Sequence, residues 1–431
     1  MSNQRAAVCN WPHVVPACER ALIPFSSRHA HSHSNRYGGR RSFTGGCCVG
    51  RSVAGLAPGG RSPPPRVLDY TPGWYRKIYV KGYLKLIEHA PEVYAMMFKK
   101  TDNVKRIQEL MKFRRRSSRI MATKFVKELV AFQPEMVLAP HYLPLEIIGG
   151  VMGKRRSRLK KNPFVACIVT DFEAHALWME PCVNLYCVAA PATKARMVAR
   201  GVGDENVVVT GIPIAAKFSS RVDANAIRAQ FVFERDVPTL LVLGGGFGMG
   251  LVREILAELD KIQRVLQIIV VCGKNEKLRQ QIASESQRHR TAVLGFATNM
   301  HELMSASDLI LTKPGGLTTS EALAMGKPIL ILNPIPGQEA ANSDFLLEEG
   351  TAVKVNCIED LPFKITNLLD SKKLLQMARA AQALGKPRAA TAICEAALAA
   401  SSGGTRSANP SLTKTRSGTR GTRPSKPAAF A

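Results

Sequence analysis

Short apolar runs recur along the middle of the chain and alternate with longer stretches in which apolar residues repeat every three or four positions. The runs are nearly continuous and rich in β-branched residues, which is typical of strands buried on both faces of a sheet. The periodic stretches between them predict amphipathic helices. The predicted strands are 136–138, 164–170, 207–210, 240–243, 268–271, 309–311 and 329–332, and the predicted helices include 251–264, 275–287, 318–325 and 338–348.

This alternation predicts the α/β fold class, with parallel sheets assembled from strand–helix–strand units. The number of strands favours two doubly wound, Rossmann-like domains, and the pattern is interrupted between 212 and 236. We therefore place a first domain at 66–211 and a second at 212–400. Residues 1–65 have the composition of a transit peptide or of an out-of-frame translation, so we expect a disordered or aberrant segment. Residues 401–431 are predicted to be a disordered basic tail.

The composition excludes several classes of protein. With 45% hydrophobic and 22% charged residues among 431, the chain can build a substantial core and is not wholly disordered. No stretch approaches the roughly 20 apolar residues of a membrane-spanning helix. The ten cysteines form no CxxC pair, so neither a zinc ribbon nor a disulfide framework is indicated.

Positive charge is concentrated in the first half of the folded region. The net charge is +27; eleven bases lie between 99 and 127, and six of the eight residues at 154–161 are basic. Such a surface attracts polyanions. Aromatic residues interleaved with lysines between 70 and 98 favour an anionic membrane over nucleic acid, and no nucleic-acid-binding motif is present. The cations that we expect to face acceptor or membrane are Lys112, Arg114, Arg115, Arg116, Lys154, Arg155 and Arg156.

A glycine-rich loop follows the strand at 240–243 and leads into a helix. Glycine lets a phosphate approach the backbone, and a helix N-terminus favours an anion. The next strand ends in Val271-Cys272-Gly273-Lys274 without an acid, which argues against a dinucleotide fingerprint. The GK[ST] sequence of a P-loop is also absent. A tight turn without any ligand is the alternative interpretation.

Two further loops strengthen the prediction of a ligand site. In 312–321 a strand again leads through Gly315 and Gly316 into a helix, where we expect Thr318 or Thr319 to cap and Glu321 to lie on the first turn. Such a carboxylate can accept two hydrogen bonds from ribose hydroxyls, or it can simply cap the helix. In 333–342 a polar cluster near another helix start could bind a polyol. Loops at successive strand ends are expected to converge on one cleft.

The residues of these loops resemble a known family. GGGFGMG (244–250) and TKPGGLTTSEALAMGKPILILNPIPGQEAAN (312–342) are similar to the UDP-sugar-dependent diacylglycerol glycosyltransferases, which are related to the murein lipid II-forming glycosyltransferase. Further similar segments are GYLKLIEHAPEVYAMMFKKTDN (82–103), VTDFEAHALW (169–178) and VVVTGIPI (207–214). The family includes the monogalactosyldiacylglycerol synthases and the diacylglycerol glucosyltransferases.

The resemblance implies the GT-B fold, with donor bound by the second domain and acceptor by the first. It also implies inverting transfer of glucose or galactose from a UDP-sugar to diacylglycerol, without cofactor or metal, on the cytoplasmic inner face of a membrane. The diphosphate, ribose, uracil and sugar are then expected on Gly244, Gly245, Gly246, Phe247, Gly248, Phe296, Gly315, Gly316, Leu317, Thr318, Glu321, Gln338, Glu339 and Asn342. Diacylglycerol and anionic lipids are the expected partners, and no nucleic acid is expected.

Two departures from the family leave the catalytic base unassigned. The family begins with a strand and a glycine-rich loop carrying a histidine, and residues 1–65 contain neither, so we expect a first domain without its first strand and with an unpaired edge. Ala215 stands where relatives often place a phosphate-reaching arginine, and Lys217 is a weak substitute. The remaining acceptor-side candidates are His141, Asp171, His175 and Trp178.

Each of these candidates has a structural alternative: both histidines could be satisfied core residues, and Trp178 could belong to the core. Three other functions also stay open. An inactive, membrane-associated UDP-sugar-binding protein would bind UDP without forming glycolipid. A nucleic-acid-binding protein would show salt-dependent affinity. Transfer to a polyprenyl-linked muropeptide is disfavoured by the diacylglycerol-type segments.

Overall fold

The computed structural model describes two parallel-sheet α/β domains, which confirms the predicted fold class. The expectations for 1–65 and 401–431 fall mostly outside the described residues. Those residues are 6–8, 67–105, 107, 114, 117–118, 120–152, 159–244, 251–332 and 334–403.

The first sheet contains five parallel strands in the sequential order β1-β2-β3-β4-β5. Val137 and Val165 are paired across β2 and β3, and both strands are buried almost throughout. Burial on both faces explains why these strands consist of apolar residues without alternation. The strands are β1 (Ala6–Val8), β2 (Met136–Ala139), β3 (Phe164–Ile168), β4 (Leu185–Val188) and β5 (Val207–Val209).

Strand β1 corrects the expectation that the first domain lacks its first strand. The backbone of Ala6–Val8 runs parallel to β2, with Ala7 opposite Val137, so the β2 edge is paired. The sequence pattern did not reveal this strand because three consecutive small or β-branched residues carry no detectable periodicity.

Five helices of the first domain are described completely: α1 (Gly73–His89), α2 (Pro91–Thr101), α3 (Thr123–Phe132), α4 (Tyr142–Met152) and α5 (Pro191–Ala199). Helices α2 and α5 each begin with a proline, whose fixed φ suits the first helical position. Helix α3 ends at Gln133, which adopts the left-handed conformation with φ of 49°. Within the described ranges, no helix is both long and apolar enough to cross a membrane.

The second sheet has six parallel strands in the order β11-β10-β9-β6-β7-β8. The chain places β7 and β8 on one side of β6 and then β9, β10 and β11 on its other side. The direction in which strands are added therefore reverses between β6 and β9. This reversal is the switch point at which open α/β sheets bind ligands. The strands are β6 (Thr239–Leu243), β7 (Gln267–Val271), β8 (Arg290–Leu294), β9 (Leu309–Thr312), β10 (Ile329–Leu332) and β11 (Ala352–Val355).

The seven predicted strands are confirmed to within two residues at each end, whereas β4, β8 and β11 were not predicted. Strand β8 is half-buried and begins with arginine, so its apolar signal is weak. The remaining helices are α6 (Ala224–Gln230), α7 (Val252–Leu259), α8 (Glu276–Ser284), α9 (Met300–Ser305), α10 (Gly316–Ala324), α11 (Gln338–Glu348), α12 (Leu361–Asp370), α13 (Lys373–Leu384) and α14 (Ala389–Ser402).

The two domains are joined through apolar contacts. The rings of Phe172, which follows β3, and Phe345 of α11 stack with centroids 4.6 Å apart. Helix α14 follows the second sheet in sequence but packs Ile393 and Ala397 against the strands of the first sheet. The sheet edges that carry the candidate loops are therefore held against each other.

Candidate functional site

Three loops predicted to bind one ligand follow β6, β9 and β10, which are neighbours in the second sheet. Because the strands are parallel, their carboxyl ends lie at the same edge. The three loops therefore start at one edge of the sheet, with the switch point between the first two of them, and their convergence on one cleft remains a prediction.

The first loop begins at Gly244, whose amide donates to the carbonyl of Val271 at 3.0 Å. A Cβ at Gly244 would lie 3.1 Å from that same carbonyl oxygen, so the close approach favours glycine. The other predicted residues of this loop, Gly245, Gly246, Phe247 and Gly248, lie outside the described part of the chain.

The second loop carries Gly315, Gly316, Leu317 and Thr318 into α10. The N-cap is Gly315, without any side-chain capping bond, and Thr319 donates its hydroxyl back to the Gly315 carbonyl at 2.9 Å. The prediction that Thr318 or Thr319 caps the helix is therefore wrong, because the helix begins two residues earlier than its pattern indicated. Helix α10 begins at Gly316, four residues after β9 ends, so its N-terminus lies at the edge of the sheet where an anion site is predicted.

Glu321 lies on the second turn of α10, not on the first turn as predicted. It is buried, and its carboxyl accepts no hydrogen bond from the described residues, so it is not a capping group. Burial raises the pKa of Glu321 to about 7, while the nearby Lys217 ammonium acts in the opposite direction. A buried carboxyl without a protein partner is energetically costly, and such groups concentrate at binding sites.

Lys217 connects Glu321 to the loop that follows β8. Its ammonium donates to the Thr298 carbonyl and lies 5.6 Å from the centroid of the Phe218 ring. In the same loop Phe296 is 59% exposed, with Lys274 5.9 Å above its ring. Lys217 therefore lies near both the predicted ribose carboxylate and the loop whose backbone is predicted to contact uracil.

The third loop turns at Gly337, whose φ of 93° is in the left-handed region. Gln338 and Glu339 are the first two residues of α11, and Glu339 Oε2 accepts from the Ile335 amide at 2.8 Å. Burial raises the pKa of Glu339, although the Ile335 bond and nearby Lys313 oppose the shift.

Asn342 is buried completely, and protein groups occupy its amide. Its Oδ1 accepts from the Phe172 amide at 2.9 Å, and its Nδ2 donates to the Pro314 carbonyl at 3.1 Å and to Asp171 Oδ1 at 3.2 Å. Asn342 was expected to support Gln338 and Glu339 in binding the sugar, but its side-chain amide is engaged by protein groups in this arrangement. Asn342 instead joins the second loop to the end of β3 in the first domain.

The four acceptor-side candidates differ in whether their side chains contact the core of the first domain or the donor loops. His175 Nδ1 accepts from the Leu177 amide at 3.1 Å and its Nε2 lies 2.9 Å from the Phe98 carbonyl, so the ring holds backbone segments together. His141 Nδ1 accepts from the Leu143 amide at 3.1 Å. Trp178 is buried in the core of the first domain, with its ring 6.0 Å from that of His141. Only Asp171 reaches the donor loops.

Among the predicted basic residues, Arg114 is described, and its guanidinium donates to the buried carboxylate of Glu146 at 3.0 Å. It also lies 5.9 Å from the centre of the Tyr142 ring. Arg114 therefore anchors α4, which differs from the expected outward-facing cation. Lys112, Arg115, Arg116, Lys154, Arg155 and Arg156 lie outside the described residues.

Three residues that shape the site were not predicted from the sequence: Thr170, Phe98 and Asp102. A Cβ on Gly316 would lie 2.0 Å from the carbonyl oxygen of Thr170, so the end of β3 touches the start of α10. A Cβ on Gly337 would lie 2.8 Å from the ring of Phe98 in α2. Asp102 anchors the end of α2 through Arg200, at 2.6 and 2.7 Å. These are contacts between distant parts of the chain, for which a single sequence carries no signal.

Within the described ranges, no cluster of three or more His, Cys, Asp or Glu side chains has the arrangement of a metal site. The expectation of a donor site without metal or cofactor remains a prediction.

Two family models match the chain. Residues 66–214 match the monogalactosyldiacylglycerol (MGDG) synthase model, and residues 239–393 match the glycosyltransferase family 28 C-terminal domain. The boundary between the matches coincides with the linker between the two sheets.

Curated relatives include a processive diacylglycerol beta-glucosyltransferase of Bacillus pumilus, 34% identical over 211 residues, which are 48% of this chain and 55% of the relative. A protein of the same name from Bacillus cereus is 36% identical over 236 residues, or 54% of this chain and 61% of the relative. The matched part of this chain thus spans less than two thirds of their length. A solved structure of Acinetobacter baumannii MurG is 18% identical with a TM-score of 0.48, covering 64% of this chain and 76% of that one.

Proposed function

Because the two family models match adjacent parts of the chain, we propose that it belongs with the monogalactosyldiacylglycerol synthases and diacylglycerol glucosyltransferases and that it transfers glucose or galactose from a UDP-sugar to diacylglycerol. The observation that carries this proposal is that β6, β9 and β10 are neighbours, so that three loops start at one edge of the second sheet, next to its switch point, where the helix after β9 carries the buried Glu321 carboxyl. The reaction is an inverting displacement at C1 of the sugar, which forms a glycolipid and releases UDP.

Each part of the donor has a partner of suitable chemistry. The amides at the start of α10 and the Gly244 loop bind the diphosphate, whose negative charge the helix N-terminus stabilises. The Glu321 carboxylate accepts hydrogen bonds from the two ribose hydroxyls, and the backbone around Phe296 binds the uracil. Gln338 and Glu339 bind hydroxyls of the sugar. Since amides and the helix dipole stabilise the leaving diphosphate, the displacement requires no metal.

The test is calorimetry with UDP together with a transfer assay. Wild-type protein is incubated with diacylglycerol-containing vesicles and labelled UDP-glucose or UDP-galactose, and lipid-soluble label is counted. We expect glycolipid with one of the two donors and at least a tenfold weaker UDP affinity in Glu321→Ala. UDP binding without glycolipid would instead indicate the inactive binding protein, and absence of both would refute the donor site.

We further propose that the first domain docks on the membrane surface that supplies diacylglycerol. Helices α1 and α2 expose large apolar side chains to solvent: Trp74, Ile78, Met96 and Met97. Exposed lysines alternate with them, including Lys77, Lys99 and Lys100. Apolar side chains that enter the headgroup layer and ammonium groups that face lipid phosphates together bind an anionic interface.

Vesicle sedimentation tests this surface. Trp74→Ser combined with Ile78→Ser is expected to weaken binding to phosphatidylglycerol-containing vesicles about tenfold or more, since each buried apolar side chain contributes roughly 1–2 kcal/mol. Phe363→Ser is the matched control, because Phe363 is equally exposed but lies on α12 of the second domain. Equal binding by all three proteins would refute the docking surface.

A further inference from the structure

Asp171 follows β3 at the edge where the first domain meets the donor loops. Its neighbour Thr170 places its carbonyl oxygen against Gly316, so closely that a Cβ there would lie 2.0 Å away. On the other side, Phe172 stacks on Phe345 of α11. Asp171 is therefore held between the starts of α10 and α11, although it belongs to the domain that binds the acceptor.

One oxygen of the Asp171 carboxyl is fixed by the protein and the other is available. Oδ1 accepts from Asn342 Nδ2 at 3.2 Å, and Asn342 is itself held by Pro314 and Phe172. Oδ2 accepts no hydrogen bond from the described residues. This arrangement orients the carboxyl group while leaving one basic oxygen for a hydroxyl group.

The electrostatic surroundings keep this carboxylate basic. Burial raises the pKa of Asp171 to about 6, and the Asn342 hydrogen bond opposes the shift. The titratable groups around it are Glu339 of α11, whose pKa is raised by burial and by the charge of Asp171, and Lys313 of the second loop, whose ammonium acts on Glu339 in the opposite direction. At neutral pH such a carboxyl is largely ionised but accepts a proton more readily than an exposed aspartate.

The two histidine candidates lack a basic nitrogen for this task. Nδ1 of each ring accepts a backbone N–H, from Leu143 for His141 and from Leu177 for His175. Each neutral ring therefore carries its proton on Nε2, which then has no lone pair for a substrate proton. Burial also lowers the pKa of His141 to about 3.

We propose that Asp171 is the general base of the transfer, an inference that rests on the proposed function. Asp171 Oδ2 accepts the proton of the diacylglycerol hydroxyl while the oxygen of that hydroxyl forms the bond to C1 of the sugar. The bond from C1 to the diphosphate oxygen breaks, and its electron pair leaves with UDP. Asn342 is a positioning residue that orients the carboxyl group.

The first experiment compares the full chain with Asp171→Asn in the vesicle assay and by UDP calorimetry. We expect kcat to fall by a factor of about 10² to 10⁴, the usual range for a general base, while the Kd for UDP changes less than threefold. Glu173→Gln is the control, because Glu173 lies in the same loop but pairs with Arg196. It is expected to retain activity within twofold.

The second experiment measures kcat against pH. The wild-type profile should fall on the acidic side near pH 6, and Asn342→Ala should move that limb to higher pH because it removes the hydrogen bond that favours the ionised carboxylate. A purely structural role of Asn342 would lower kcat at every pH without moving the limb, which would count against the proposal.

The outcomes separate the two proposals. An active wild type with an equally active Asp171→Asn overturns the base assignment alone, as does loss of UDP binding in parallel with activity. A wild type that binds UDP but forms no glycolipid with either donor overturns the proposed function, and the base assignment with it.

Discussion

Glu321 is a buried carboxyl without a hydrogen-bond partner among the described residues, and nearby Lys217 offsets only part of the cost of burying its charge, so its ionisation opposes folding. Its pKa is raised from 4.5 to about 7 in the folded protein. The stability that the protonated form contributes is therefore complete below pH 4.5 and is lost as pH rises through 7. The size of this loss is about 3 kcal/mol between pH 4 and 8.

Replacing Glu321 by glutamine should remove this pH dependence. We expect the unfolding midpoint of Glu321→Gln, measured relative to that of wild type, to increase as pH rises from 5 to 8. At pH 8 the variant should also bind UDP more weakly than wild type does. Scanning calorimetry at both pH values measures the first effect, and titration with UDP the second. A constant difference in midpoint between the two proteins would mean that Glu321 is not the titrating group.

At this scale the sequence predicted the residue type but not the surroundings. Glu321 was correctly placed on the helix after the second loop, yet its turn was wrong because Gly315 and Gly316, not a threonine, begin that helix. Asn342 was predicted to support Gln338 and Glu339 in binding the sugar, because all three lie near one predicted helix start. In the structure it lies one turn further along α11, facing Phe172 and Asp171.

Among the elements, α2 is anchored at its C-terminal end by the carboxylate of Asp102. Burial disfavours the ionised Asp102, but the Arg200 hydrogen bonds and the Ala176 amide outweigh it and lower the pKa to about 2. Because the folded pKa is lower than the ordinary value of 3.8, this stabilisation is present above about pH 4 and is lost as pH falls toward 2.

Asp102→Ala should therefore loosen α2 selectively. We expect hydrogen exchange across 91–101 to accelerate about tenfold or more at pH 7, since a half-buried carboxylate with several charge-assisted bonds is worth roughly 1–3 kcal/mol. Asp204→Ala provides the comparison, because Asp204 also forms an ion pair, with Lys194, but is largely exposed. Similar exchange rates in both variants would contradict the role of Asp102.

The turn before α11 is constrained both by its own backbone and by its neighbour. Gly337→Ala should weaken UDP-sugar binding, because alanine is disfavoured by about 1–2 kcal/mol at positive φ and its Cβ would meet Phe98. In Gly337→Ala/Phe98→Ala the steric contribution disappears, whereas the φ penalty stays. Calorimetry with UDP-glucose on the two single variants and the double variant should therefore give non-additive losses, and strict additivity would show that Phe98 does not constrain the turn.

For the whole molecule, α14 is the element that ties the second domain back to the first sheet. Ala397 is fully buried against that sheet, whereas its neighbour Leu398 is 52% exposed on the same helix. Ala397→Asp should lower the free energy of unfolding by at least about 3 kcal/mol, because the carboxylate would be buried without a partner. Leu398→Asp should change it by less than about 1 kcal/mol, and urea unfolding of both variants measures the difference.

The amino-acid pattern alone is sufficient for the two-domain α/β architecture, the seven strongest strands and the three loops at one sheet edge. It is sufficient because buried parallel strands leave uninterrupted apolar runs, and loops between parallel elements return to the same edge. Strands β8 and β11 were not predicted because each contains a basic residue that weakens its apolar run, and β4 was missed although all four of its residues are buried.

Only the tertiary structure decided which polar groups remain available to a ligand. Hydrogen bonds between residues far apart in sequence occupy Asn342 and His175 and hold Arg114 against Glu146. They leave Glu321 and one oxygen of Asp171 without a described partner. A pattern of residue types cannot distinguish these cases, because satisfaction of a polar group depends on the three-dimensional distance to its partner and not on spacing along the chain.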